Sequence, residues 1–171
     1  MRILGIDPGY AIVGFGIVDY SGMHFTPLEY GAITTEAGTV FADRLTAIYE
    51  DLAFLIDRWK PDCIALERLY FTSNQKTVID VAQARGVIIL CAAQRKIPLY
   101  EYTPLQVKMA VVGYGRAEKK QVMDLTRRIL HLEQIPKPDD AADALAIAIC
   151  HGHSATGQRL QEAEGRATRT V

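Results

Sequence analysis

The chain has 171 residues, 49% of them apolar and 23% charged, with a formal net charge of −1. This is enough to bury one sizeable core, and the balance is that of a globular domain rather than a disordered or fibrous chain. No apolar stretch is expected to reach the roughly 18 residues a membrane span needs. Met1-Arg2-Ile3-Leu4-Gly5-Ile6 runs straight into a strand pattern without signal-peptide form, so a cytoplasmic protein with no membrane partner is expected.

The first third reads as a β-meander: strands over 2–7, 11–19 and 23–33, separated by Pro8-Gly9 and Ser21-Gly22. From Phe41 the period changes. Phe41, Leu45, Ile48, Leu52, Leu55, Ile56 and Trp59 form one stripe of an amphipathic helix that ends before Pro61. Residues 62–67 return to strand. Thr72-Ser73-Asn74 then supply an N-cap cluster for a helix over 75–95. That helix is apolar nearly all round, so it is either deeply buried or shared with a second subunit. Residues 97–102 give a fifth strand. Thr103-Pro104 opens a short helix that stops at Gly113, with two more helices at about 117–131 and 139–151. Residues 1–153 are expected to form one domain. Residues 152–171 are polar and aperiodic, so 154–171 reads as a flexible tail. The order βββαβαβαα predicts an α/β fold, a five-stranded mixed sheet flanked by helices.

Four acids stand out against this background. Asp7 closes the apolar run Ile3-Leu4-Gly5-Ile6, and Glu67 closes Cys63-Ile64-Ala65-Leu66. Asp140 and Asp143 lie three apart, on one face of an otherwise Ala/Leu/Ile-rich helix. Each has an innocent reading, as a turn former, a solvated strand end or a helix-capping charge. Asp143 fits such a reading least, because its neighbours are Ala141, Ala142, Ala144, Leu145, Ala146 and Ile147. Carboxylates held at strand ends can converge, and their mutual repulsion calls for cations. Mg²⁺ or Mn²⁺ is the expected partner, in a phosphoryl-transfer site.

The charge is unevenly spread. Residues 76–128 carry ten Lys/Arg against four Asp/Glu, +6 in all, which leaves −7 elsewhere. Such a split suits a basic face beside an acidic pocket, although solvated helix faces would look the same. The three cysteines lie far apart and read as reduced, buried thiols. Cys150-His151-Gly152-His153 has no second ligand cluster and reads as a helix end rather than a zinc site. Gly14-Phe15-Gly16 lacks the strand-loop-helix setting of a dinucleotide loop.

Taken in order, Gly5-Ile6-Asp7-Pro8-Gly9, the Glu67 strand end with Tyr70-Phe71, Gln83-Ala84-Arg85-Gly86, Gln106-Val107-Lys108, Val111-Val112-Gly113, Ala117-Glu118-Lys119 and Asp140-Ala141-Ala142-Asp143-Ala144-Leu145-Ala146 resemble the bacterial RuvC-type Holliday junction resolvases, over about residues 1 to 153. The resemblance implies an RNase H-like fold, a homodimer, and paired symmetric nicks in four-way DNA junctions during recombination and repair. The ends would be 5′-phosphate and 3′-hydroxyl. It implies that Asp7, Glu67, Asp140 and Asp143 are the catalytic acids and the ligands of Mg²⁺ (Mn²⁺ substituting), two ions about 4 Å apart with Asp7 between them. Some members carry His in place of Asp140. Tyr70, where Phe is common, would stack on a junction base beside Phe71. Arg85, Lys108, Lys119 and Lys120 would meet DNA, and RuvA and RuvB would be partners. The competing readings are an RNase H-like nuclease acting on RNA–DNA hybrid or structured RNA, an actin-like nucleotide binder, and a catalytically dead junction-binding module.

Overall fold

The computed structural model describes residues 1–68 and 75–167. Ten elements follow one another: β1 (Arg2–Asp7), β2 (Ile12–Ser21), β3 (His24–Thr34), α1 (Phe41–Trp59), β4 (Cys63–Glu67), α2 (Gln75–Gln94), β5 (Leu99–Tyr102), α3 (Pro104–Val112), α4 (Lys119–Ile129) and α5 (Asp139–Ala167). The sheet order is β3-β2-β1-β4-β5. β1, β2 and β3 are joined antiparallel, whereas β4 and β5 continue parallel to β1. β1 is therefore the middle strand, and β1, β4 and β5 all end at the same edge.

Alternation along the strands sorts side chains between two faces. Leu4, Ile6, Ile17, Ile33, Ile64 and Leu66 pack on Ile48, Leu52, Ile56 and Ile88 of α1 and α2. Ile3, Val18, Cys63 and Ala65 pack on the other side against Leu145, Ala148 and Ile149 of α5, with Val107, Val111 and Val122 of α3 and α4. Each such fully buried aliphatic side chain contributes roughly 1.5–3 kcal/mol relative to exposure. Asp7 and Glu67 continue the α5-facing series one step beyond the apolar run, so their carboxylates emerge at the sheet edge beside α5.

Glycines bring α5 onto the sheet. A Cβ at Gly5 would overlap the carbonyl oxygen of Ala144, one at Gly14 that of Asp140, and one at Gly16 the side chain of Leu145. Gly14 and Gly16 are thus no nucleotide loop. They are the floor on which the acidic end of α5 rests.

α3 follows its sequence signals. The Thr103 side chain accepts a hydrogen bond from the Gln106 backbone N–H, the Gln106 side-chain oxygen accepts one from the Thr103 backbone N–H, and Gly113 closes the helix at φ 90°. Two expectations need correction. α5 does not end near residue 151 but stays helical to Ala167. The added stretch has no proline and is rich in Ala, Gln, Arg, Leu and Glu, which favour helix even without an apolar stripe. Thr77–Gln94 of α2 is also long and apolar enough, by length and composition alone, to cross a membrane. Burial accounts for part of that composition: Ala84, Ile88, Cys91 and Ala92 are buried against the sheet side, while Ile79 and Leu90 are exposed. Arg85 is ion-paired with Glu101 of β5.

Candidate active site

A cleft of about 180 Å³ opens where β1 and β4 end. Asp7, Glu67 and Asp143 line it together with Lys108 and Lys119, over an apolar base of Val107, Val122, Ala146 and Ile147. Three of the four predicted acids, from segments far apart in the chain, therefore share one cavity. The fourth, Asp140, stands at its border. Its backbone rests on Gly14, which pairs with Asp7 across β1 and β2. The order across the edge is Asp140 above β2, Asp7 on β1 and Glu67 on β4. Asp143 is the one position in Ala141–Cys150 that is not fully buried, because its side chain opens into the cleft.

The electrostatics follow from this crowding. Asp7 is pushed up to about 8, chiefly by burial and then by Glu67, Asp143 and Asp140. Burial, and next Asp143, also raise Glu67. Lys119 donates to Asp143 at 2.8 Å. That hydrogen bond is the main reason its ammonium is held above the usual lysine range. Among the described residues, no three Asp, Glu, His or Cys side chains are gathered closely enough to hold an ion as they stand. The donor set is nevertheless all carboxylate oxygen, repels itself, and disfavours the ionised form of Asp7. Those are the properties a hard divalent cation relieves.

The other predicted residues fall in different places. Lys108 of α3 lines the cleft, whereas Lys120 is exposed outside its lining. Arg85 is drawn against Glu101, which pairs with Leu66 on the α1 and α2 side of the sheet, away from the cleft. Burial, then the neighbouring Arg68, lowers Arg85. Tyr70 and Phe71 lie outside the described residues. The sequence reading did not anticipate the Lys119–Asp143 and Arg85–Glu101 pairs. It also missed the hydrogen bond between the Tyr102 hydroxyl and His151 Nδ1, 2.7 Å, which ties β5 to α5 beneath the cleft. Each joins residues distant in sequence, and no local motif announces it. His151 is thereby a buried, bonded side chain inside α5, not at the helix end that the sequence suggested.

A five-stranded mixed sheet with an acidic edge of this kind defines a nuclease of the RNase H-like class. The family described as Crossover junction endodeoxyribonuclease RuvC matches residues 3–151. A protein of that name from Ruminiclostridium cellulolyticum is 56% identical over 154 residues, covering 90% of this chain and 93% of its own. Its counterpart from Caldanaerobacter subterraneus is 54% identical at the same coverage. The Thermus thermophilus RuvC structure superposes with a TM-score of 0.85 at 32% identity, over 92% of this chain and 97% of that one. The same protein in complex with Holliday junction substrate gives 0.86 at 32% identity, over 91% and 94%. The chain belongs to the RuvC family of crossover junction endodeoxyribonucleases.

Proposed function

We propose that this chain resolves four-way DNA junctions by paired symmetric hydrolysis, with Asp7, Glu67, Asp140 and Asp143 as its catalytic, metal-holding acids. The observation that carries the reading is the single cleft in which Asp7, Glu67 and Asp143 meet Lys108 and Lys119 at the sheet edge. Mg²⁺ held there, or Mn²⁺ in its place, would supply an activated water and charge stabilisation at the departing 3′-oxygen. The order of the edge supports this reading of the acids. Asp7, between Glu67 on one side and Asp140 on the other, would be shared by two ions, with Glu67 holding one and Asp140 with Asp143 the other. Lys108 and Lys119 at the cleft bind the phosphate about to be cut, and exposed Lys120 extends the basic surface along the backbone. Tyr70 stacks on a base exposed at the crossover, with Phe71 beside it, a contact worth roughly 1–3 kcal/mol. Arg85 reaches DNA only on leaving Glu101.

Matched nicks require two copies of the site, and a two-fold dimer fits the junction's own approximate symmetry. The exposed side of α2 supports that assembly. Ile79, Ala82, Gln83, Gly86, Leu90 and Ala93 recur at helical spacing along it, and Ile79 is 61% and Leu90 51% exposed. RuvA and RuvB remain the partners of this reading, and the cytoplasm its compartment.

The test is cleavage of an end-labelled mobile four-way junction with Mg²⁺ or Mn²⁺, against matched duplex and RNA–DNA hybrid, for wild type and Asp7→Asn. Symmetric nicks that need metal and disappear in Asp7→Asn, with junction binding kept in a gel shift, are expected. Preferential cutting of the hybrid would replace the substrate, and tight junction binding without cleavage under either metal would replace the enzyme with a binding module.

A further inference from the structure

Lys119 is the residue that a carboxylate metal site does not by itself require. It is the first residue of α4, followed by Lys120, and the first turn of that helix holds no acid. A cation there faces the positive end of the helix dipole, which disfavours it. Nor is the side chain needed for packing, since it is 57% exposed. What holds it is Asp143 across the cleft, at 2.8 Å. Among the described residues, no other basic side chain is ion-paired with any of the four acids. Lys108 lines the same cleft and pairs with none of them.

A divalent ion on Asp143 would lie about 2.1 Å from a carboxylate oxygen, and the ammonium already sits against that carboxylate. The ammonium occupies Oδ2 of that carboxylate and already neutralises the charge the ion would draw on, so the two cations compete for Asp143. A partly exposed lysine–carboxylate pair contributes only about 0.2–1 kcal/mol, which several charged oxygen ligands closing on a divalent ion readily outweigh. We propose that Lys119 is a resident counter-cation of the acidic cleft, displaced from Asp143 when metal loads and released at the mouth of the cleft for the DNA phosphate. Metal loading and the arming of a phosphate contact become one event. Lys119 acts in this as a positioning residue, and the proposal rests on the assignment of the acids to metal given above.

The experiment titrates the full-length protein, without DNA, with Mn²⁺ alone, following free Mn²⁺ by electron paramagnetic resonance. Wild type, Lys119→Gln and Lys108→Gln are compared, with melting curves to show that both variants fold. Both variants lose one positive charge near the cleft, but only Lys119→Gln frees Asp143. Lys119→Gln is expected to bind Mn²⁺ about 1.4- to 5-fold more tightly than Lys108→Gln does, the factor given by the strength of an exposed ion pair. In isotopically labelled wild type, the Lys119 side-chain ammonium resonance is expected to move in step with occupancy as diamagnetic Mg²⁺ is added. Equal affinities of the two variants, or an unmoved Lys119 resonance at saturating Mg²⁺, overturn the displacement while leaving the metal site standing. No Mn²⁺ binding in wild type and Lys119→Gln alike overturns both.

Discussion

Replacing Asp7 by Asn separates the cutting role proposed for this residue from what it costs the fold. In the metal-free protein Asp7 is pushed from 3.8 to about 8, first by burial and then by the surrounding acids. Between those two values the folded chain keeps a proton that the unfolded chain gives up. Stability then falls with rising pH, by up to 1.36 kcal/mol per pH unit, and levels off above pH 8. Over the whole interval this is at most about 6 kcal/mol, a ceiling because solvent at the open sheet edge screens the charges. Asparagine keeps the size without the titration. Asp7→Asn should match wild type in stability near pH 4 and gain steadily on it to pH 8. For a chain of this length each kcal/mol is worth roughly 2–4 °C in Tm, so the variant should melt several degrees higher at pH 8. Thermal denaturation in EDTA across pH 4–9 measures this. Added Mg²⁺ should then close the gap from the wild-type side, because bound metal stabilises only the chain that binds it. A Tm difference independent of pH would refute the reasoning, since it would mean that Asp7 does not share its burial and its neighbours' charge in the way the structure places it.

Gly14→Ala puts a methyl group against the backbone of Asp140; overpacking of this kind costs about 1–3 kcal/mol. Cleavage should fall more than junction binding, and guanidinium melts with parallel gel shifts would show it. Leu90→Glu on the exposed side of α2 should shift the protein to monomer in analytical ultracentrifugation at micromolar concentration with its circular dichroism unchanged. The same variant should then nick junctions on one strand without the matched partner nick. Tyr102→Phe removes the hydroxyl bonded to His151. A buried polar atom left unpaired costs about 1–3 kcal/mol, read as a drop in the urea midpoint. Burial also holds His151 below its ordinary value of 6.5. The folded protein therefore resists protonating it, and stability should fall as pH drops through 6.5; replacing His151 should flatten that part of the pH profile.

Much of this was legible in the chain because it is written in local periods. The run Ile3–Ile6 and the run Cys63–Leu66 have no polar side chain and stop at an acid, which is how a strand buried on both faces and ending at an open edge must read. The stripe from Phe41 to Trp59 and the Thr103-Pro104 start likewise state their helices outright. Other features depend on docking. Nothing near Lys119 says that Asp143 will face it, because the pair exists only once α4 and α5 are both laid on the sheet. Arg85 looked like a free basic residue since its partner Glu101 comes from a strand that follows α2. The glycines at 14 and 16 were set aside as a weak nucleotide motif, and their use as a seat for a helix more than a hundred residues later is a purely tertiary fact. The end of α5 was misplaced for a different reason: absence of an apolar stripe marks absence of a face to pack, and a helix can run on without one.

The seating of α5 also joins distant parts of the chain at the cleft. Asp7 stands on the first strand of the sheet, and Asp140 and Asp143 on the last helix. β1 through β4 carry only two of the four acids. On the proposed assignment, a chain cut short before α5 would lack the other two, and with them the completed cleft.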